Sequence, residues 1–287
     1  MVASDKFTQA YCALTHAGNH RELNEDSYLN LPDYHFWAIA DGMGGHAAGD
    51  VASATAIETL RIAVARGLSV EQAIQQAHST VLNAAQIDQA KTGMGSTVVA
   101  ISSTATDYQI SWVGDSRAYL WRFGEQGGQL EQLTTDHSYV QMLVDQGALE
   151  PSETQHHPNK NVITQCLGST ELDQVEVGSV QGNWSDEPQW VLLCSDGLND
   201  ELSDQQIASI LFRSKSIKEA ASLLLDGALN AGGRDNVTVQ LIDRPKPPNT
   251  PVLIKYLPRF SGHNRINQAA WVTTAILLTL LILSFVV

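Results

Sequence analysis

Asp41-Gly42-Met43-Gly44-Gly45 closes the apolar run Phe36-Trp37-Ala38-Ile39-Ala40, and it is the first of four places where an aspartate ends a strand-like segment or a glycine-rich turn. Asp115 follows in Gly114-Asp115-Ser116-Arg117, Asp196 in Ser195-Asp196-Gly197 and Asp235 in Arg234-Asp235-Asn236. Strand-end turns are where a rigid sheet can hold carboxylates against one another at fixed spacing. Carboxylates gathered in that way repel and require cations. Ligands that are all oxygen suit Mg²⁺ or Mn²⁺ rather than zinc.

Outward from these turns the elements come in runs. Strands are expected at Thr8–Thr15, Phe36–Ala40, Ser96–Ser102, Tyr108–Val113 and Arg117–Phe123, and later at Val175–Val180, Trp190–Cys194 and Val237–Leu241. Helical periodicity covers Val51–Arg66, Val70–Gln89, Ser138–Gln146, Asp204–Leu211 and Ile217–Leu229. Grouped strands followed by grouped helices predict an α+β layered sandwich, not a doubly wound parallel sheet.

Composition narrows the function. The chain has 287 residues, long enough for a sizeable single core, and carries a net charge of −14. All 31 acidic residues lie at or before Asp243, whereas five of the 17 basic ones (Arg244, Lys246, Lys255, Arg259, Arg265) follow it; the body thus holds 12 basic residues against 31 acidic, about −19. A body of that sign excludes nucleic acid as a partner, because phosphate backbones demand clustered Lys and Arg. Cys12, Cys166 and Cys194 are odd in number and scattered, which fits a reducing cytosol and no disulfide framework. Cys194 lies inside an apolar run and reads as core filler.

The last segment has a different character. Residues 269–287 contain no charge, and nineteen residues at about 1.5 Å each span roughly 28 Å, close to the thickness of a bilayer core. Trp271 near its start and the basic residues before it fit a single-pass helix whose body stays in the cytoplasm. Met1–Ala10 lacks the apolar core of a signal peptide. The proline-rich stretch Pro245-Lys246-Pro247-Pro248-Asn249-Thr250-Pro251 reads as a semi-rigid spacer. The expected organisation is a catalytic body over 1–243, a basic linker over 244–268 and a membrane helix over 269–287.

With these motifs in hand the chain resembles the metal-dependent type 2C serine/threonine protein phosphatases, in particular their bacterial branch. The resemblance rests on Arg21 with Asn24-Glu25-Asp26, then Asp41-Gly42-Met43-Gly44-Gly45-His46, Gly95-Ser96-Thr97, Gly114-Asp115-Ser116-Arg117, Asp136-His137-Ser138, Ser195-Asp196-Gly197 and Asp235-Asn236, in that order. It implies a four-layer α-β-β-α sandwich around two antiparallel sheets. It further implies that Asp41 bridges two cations, that Asp196 and Asp235 complete one of these sites, and that Glu25 and the Gly42 carbonyl serve the other. Asp26 would steady the surrounding water, Asp115 with Asp196 would hold a third, weaker ion, and Arg21 would bind the phosphate. A guanidinium suits that last role because its planar fork meets two phosphate oxygens.

Simpler readings compete with some of these assignments. Arg21 could pair with Glu22 or Glu25 instead of a phosphate. Ser195 lacks the G-x-S-x-G setting of a nucleophile and reads as a small residue in a crowded turn. His46, His137, His156 and His157 are not at zinc spacing. The chain also departs from eukaryotic relatives, where a histidine follows the Asp-Gly pair. Here Met43 takes that position, and a thioether carries no proton to give the leaving alkoxide. Residues 136–168 correspond to the family's flap beside the metal centre and would read the peptide around the phosphoresidue. The resulting expectation is a Mn²⁺- or Mg²⁺-dependent phosphoserine/phosphothreonine protein phosphatase on the bacterial inner membrane. Its partners would be phosphorylated proteins, a Ser/Thr kinase with its substrates, and the lipid bilayer. The alternative is a phosphatase-like module that binds phosphopeptide with little turnover.

Overall fold

Two antiparallel sheets lie face to face between helices in the computed structural model, which describes residues 7–44, 48–87, 92–124 and 127–246. In chain order the strands are β1 (Tyr11–His16), β2 (Asp26–Leu31), β3 (Phe36–Met43), β4 (Gly95–Ser96), β5 (Val98–Ser103), β6 (Asp107–Val113), β7 (Arg117–Arg122), β8 (Gln129–Gln132), β9 (Gly178–Asn183), β10 (Gln189–Cys194) and β11 (Val237–Asp243). The helices are α1 (Gly49–Ala65), α2 (Val70–Ile87), α3 (Tyr139–Asp145), α4 (Asp196–Asn199), α5 (Asp204–Arg213) and α6 (Ile217–Ala231). One sheet runs β1-β11-β10-β7-β8, the other β2-β3-β5-β6-β9 with β4 paired to β3.

Period-two alternation builds the layers. In β3, Phe36, Ala38 and Ala40 face the core under α1 and α2, while Trp37 and Ile39 face the other sheet. Across the gap β10 does the same, sending Trp190, Leu192 and Cys194 toward α5 and α6 and Val191 and Leu193 toward Trp37 and Ile39. Both faces of each central strand are therefore covered, which is why β10 and β3 read as nearly unbroken apolar runs. The four-layer α-β-β-α arrangement implied by the resemblance is observed.

Several expectations shift. The predicted strand at Val175–Val180 begins three residues later, because Val175 is bonded on both sides by the side chain of Gln75: Nε2 donates to its carbonyl at 2.7 Å, and Oε1 accepts from its N–H at 3.3 Å. The expected strand Ser96–Ser102 splits at Thr97 into β4 and β5. The body also runs past Asp243: Arg244 N–H donates to Gln189, and Thr8 and Lys246 exchange two backbone bonds, so the ladder reaches three residues into the expected linker. Among the described residues no helix is long and apolar enough to cross a membrane; the span expected at 269–287 lies outside them.

Candidate active site

The four aspartates and Arg21 meet at one end of the sandwich. A concavity of about 240 Å³ is lined by Arg21, Glu25, Asp41, Asp115, Asp196 and Asp235, together with Gly42, Met43 and Thr97 and, from the 136–168 segment, Asn161 and Ile163. Asp41 sits near the end of β3, in register with Asp26 of β2. Asp196 opens α4 directly after β10, Asp115 lies between β6 and β7, and Asp235 precedes β11. The expectation that separate turns deliver these carboxylates to one place is thus met for all four. Glu25 and Met43 line the same wall, whereas Asp26 lies behind it, 7% exposed.

Local bonds hold each carrier in place. Thr97 N–H donates to the Asp41 carbonyl at 2.8 Å and Asp41 N–H donates to Thr97 Oγ1 at 3.1 Å, which locks the β3 turn to β5. Asn236 Oδ1 accepts from Glu25 N–H at 2.8 Å, and its amide donates to the carbonyls of Ala17 and Leu23, so the Arg21–Glu25 loop is fastened to the start of β11. Gly42 and Gly49 permit the closest approach in the site. A Cβ on Gly42 would meet Gly49 O at 1.9 Å, and one on Gly49 would meet Glu25 Oε1 at 2.5 Å. The Glu25 carboxylate thus lies against the start of α1, where the helix dipole favours an anion.

The electrostatics are those of uncompensated acids. Burial pushes Asp41 well above the usual carboxylate range, and repulsion from Asp26, Asp196, Asp115 and Asp235 adds to it. Asp196 is raised likewise, by burial first and then by Asp115 and Asp200. Burial lifts Asp26 to about 6 against the pull of hydrogen bonds from Thr238 and Ser195, and lifts Asp115 to about 6 with Asp136 adding to it. Arg21 is the cation in the lining, and its Nη2 donates to Asp235 Oδ2 at 2.7 Å. The arginine expected to bind phosphate, or else to pair with Glu22 or Glu25, therefore pairs with a predicted metal ligand. Its side chain remains 50% exposed, which leaves guanidinium N–H groups facing solvent.

The donor set fits hard divalent cations. Every side-chain ligand candidate is a carboxylate, Asp26 Oδ1 is buried without a hydrogen-bond partner among the described residues, and the mutual repulsion would be relieved by positive charge. Among the described residues, no three of these acids lie close enough together to form a ligand cage by themselves.

Sequence reasoning missed Gly49 and the roles of two residues it had quoted within motifs, Thr97 and Ser195. Gly49 makes room for Glu25, Thr97 anchors Asp41, and Ser195, taken for a small turn residue, donates its hydroxyl to Asp26 Oδ2 at 2.7 Å. Cys194 is fully buried core filler as expected. His137 is pushed down by burial and its Nδ1 accepts from Gly114 N–H at 3.3 Å, a structural role. His46 lies outside the described residues.

A two-sheet α-β-β-α body with clustered carboxylates and an arginine at one end defines a metal-dependent phosphoric ester hydrolase. A sequence profile described as protein phosphatase 2C matches residues 16–230, and the chain belongs to that family. It is a serine/threonine protein phosphatase of the metal-dependent kind. The serine/threonine phosphatase stp of Listeria welshimeri is 34% identical over 243 residues, covering 80% of this chain and 94% of the relative. The protein phosphatase PhpP of Streptococcus pneumoniae is 35% identical over 240 residues, covering 80% and 95%. Among solved structures, the Mycobacterium tuberculosis phosphatase PstP/Ppp superposes with a TM-score of 0.74 at 35% identity, covering 82% of this chain and 98% of that one. A PstP catalytic domain in complex with two manganese ions gives a TM-score of 0.71 at 33% identity, covering 83% and 99%. The profile match stops before Asp235, which the fold nonetheless returns to the acidic wall.

Proposed function

We propose that this chain hydrolyses phosphoserine and phosphothreonine in proteins at the acidic concavity, in opposition to a Ser/Thr kinase at a bacterial inner membrane. The observation that carries the chemistry is the convergence of Asp41, Asp196, Asp235 and Glu25 with Arg21 on one solvent-open wall. Asp41, Asp196, Asp235, Glu25 and the Gly42 carbonyl are the groups that would hold two Mn²⁺ or Mg²⁺ ions, with Asp115 and Asp196 serving a third, weaker one. Such ions acidify water and neutralise charge on a phosphoryl group, the demand that makes uncatalysed monoester hydrolysis so slow.

The chain's own residues supply the rest. Arg21 presents N–H donors beyond the one bonded to Asp235, and two phosphate oxygens can accept from that fork. Asp26 keeps one oxygen bonded to two hydroxyls and the other free to accept from water in the site. Met43, on the lining, contributes apolar surface and no proton. Asn161 and Ile163 bring the flap to the rim, where it would touch the peptide flanking the phosphoresidue. The full set of acids favours turnover over passive phosphopeptide binding.

The tether belongs to the same proposal: a basic linker leading to a membrane helix at 269–287, with the body in the cytoplasm. β11 leads away from Asp235, and its seven residues carry the chain roughly 23 Å toward Lys246.

The test uses the full-length protein with phosphothreonine peptides. Turnover should require added Mn²⁺ or Mg²⁺ and vanish with a chelator; turnover indifferent to chelator would overturn the reading. Fractionation with membranes, lost on deletion of 269–287 while peptide turnover persists, is the outcome expected for the tether.

A further inference from the structure

Behind the acidic wall runs a hydrogen-bond chain whose direction is fixed. Thr238 Oγ1 lies 2.6 Å and Ser195 Oγ 2.7 Å from Asp26 Oδ2, and both hydroxyls donate to it. Thr238 has one hydroxyl proton and that proton is committed to Asp26. The contact between Thr15 Oγ1 and Thr238 Oγ1 at 2.7 Å must therefore have Thr15 as its donor. Thr15 in turn accepts from Asn24 Nδ2 at 2.7 Å, while Ser195 Oγ accepts from Thr238 N–H at 3.0 Å. Each proton in the chain is accounted for, and all of them point toward one oxygen of one carboxylate.

The groups come from separate parts of the fold. Thr15 and Thr238 are register partners on β1 and β11, and Ser195 follows β10 of the same sheet; Asp26 opens β2 in the other. Ser195 and Thr238 are fully buried, and Asp26 sits opposite Asp41 across the β2–β3 ladder. The consequence is an asymmetric carboxylate. Oδ2 is saturated by two donors, and Oδ1 is buried with no partner among the described residues. Two donors on one oxygen fix the rotation of the carboxylate plane, so the direction of the free oxygen is set from the opposite sheet.

We propose that Ser195 and Thr238, with Thr15 behind them, are positioning residues for the phosphatase reaction that act through Asp26. This rests on the phosphatase reading of the same site. A purely structural role would satisfy a buried carboxylate and move only stability. A positioning role must also move the chemical step, and only while Asp26 is present.

The experiment compares Thr238→Val, which keeps shape and deletes the hydroxyl, with Thr238→Ser, which restores it, in the full-length protein. Ser195→Ala is the second variant should Thr238→Val fail to fold. With Mn²⁺ saturating and temperature well below the melt, Thr238→Val should lower kcat on an aryl phosphate about tenfold or more, the scale of losing a partner behind a metal site, while KM moves little. Thr238→Ser should recover most of that loss. In an Asp26→Asn background the Thr238→Val loss should shrink to within roughly twofold, the scatter expected of independent sites. Calorimetric Mn²⁺ titration reads the same variants without turnover and should show changed affinity for Thr238→Val but not for Thr238→Ser. The positioning role is overturned if Thr238→Val and Ser195→Ala lower the melting temperature yet leave kcat and Mn²⁺ affinity unchanged, or if the losses from Thr238→Val and Asp26→Asn multiply. A parent that binds Mn²⁺ but hydrolyses no phosphoester overturns the phosphatase reading instead, and the positioning role with it.

Discussion

Gly49→Ala is the smallest change that should separate the fold from the site. A methyl group at this position would lie 2.5 Å from Glu25 Oε1, 2.7 Å from its Cδ and 2.9 Å from the Gly42 carbonyl carbon. All three distances are below ordinary contact. The carboxylate can swing away, but the Gly42 backbone is part of β3 and of the Asp41 turn, so it resists. Overpacking of this kind costs about 1–3 kcal/mol. The opposing gain from replacing glycine in a helix is at most about 1 kcal/mol and smaller in the first turn, where Gly49 sits. The overlap wins, and the relief comes mainly from Glu25 leaving the start of α1 and the acidic wall.

The expected result is a folded protein with its melting temperature lowered by roughly 2–8 °C, given about 2–4 °C per kcal/mol for a domain of this size and a net cost of about 1–2 kcal/mol. Mn²⁺-dependent turnover of an aryl phosphate should fall about tenfold to a hundredfold, as for lost support at a metal centre. The assays are thermal denaturation followed by circular dichroism and initial rates across a Mn²⁺ titration. Gly67→Ala is a control for introducing a methyl group, since nothing lies within 4 Å of its Cβ and its cost comes from a φ of +80° alone. If Gly49→Ala keeps the parent's Mn²⁺ dependence and rate, the close approach of Gly42, Gly49 and Glu25 does not position the ligand, and the argument fails.

Other outcomes follow from the same wall. Asp196→Asn keeps volume but removes one charge from the shared position; it should cost at least about a hundredfold in turnover with the fold intact by circular dichroism. Asp115→Asn should weaken turnover while calorimetry still shows the two tighter ions; loss of all Mn²⁺ binding would refute that division. Arg21→Lys keeps the charge and loses the fork, so kcat/KM should drop about tenfold to a hundredfold, the worth of one charge-assisted bond, and an unchanged value would exclude the bidentate role. Asp26 and Asp115 rise from 3.8 to about 6 in the fold, so between those values the native state holds more protons than the unfolded one. Stability without cations should therefore fall as pH rises through that window. The Mn²⁺-induced rise in melting temperature should be larger at neutral pH than near pH 4.5, and equal rises at both would contradict the repulsion argument.

The parts of this site that were legible in the sequence are local. An aspartate after an apolar run or beside a glycine is a short-range pattern, and Asp41, Asp115, Asp196 and Asp235 were found by it because each carries its own turn. Their supports are not local. Asn236 bonds Glu25 across 211 positions and Thr238 bonds Asp26 across 212, so no window of sequence contains both partners. β2 was missed for a related reason: Asp26-Ser27-Tyr28-Leu29-Asn30-Leu31 is short and half polar, and it becomes a strand by pairing with β3. The alternation Val237-Thr238-Val239-Gln240-Leu241 is the sharper case. Period two marks a strand with one wet face, yet Thr238 and Gln240 are fully buried, because that face meets the second sheet. There Thr238 bonds Asp26, Gln240 bonds the Leu29 carbonyl and Asn30, and Ile242 joins the apolar cluster of Trp37 and Ile39. The gap between the sheets is thus polar at the end that holds the carboxylates and apolar at the other. Buried carboxylates need donors, and a sandwich can supply them without opening its core to water only by spending alternate positions of a central strand on hydroxyls and amides. In this fold a strand that looks half-exposed in sequence therefore marks the layer behind the active site.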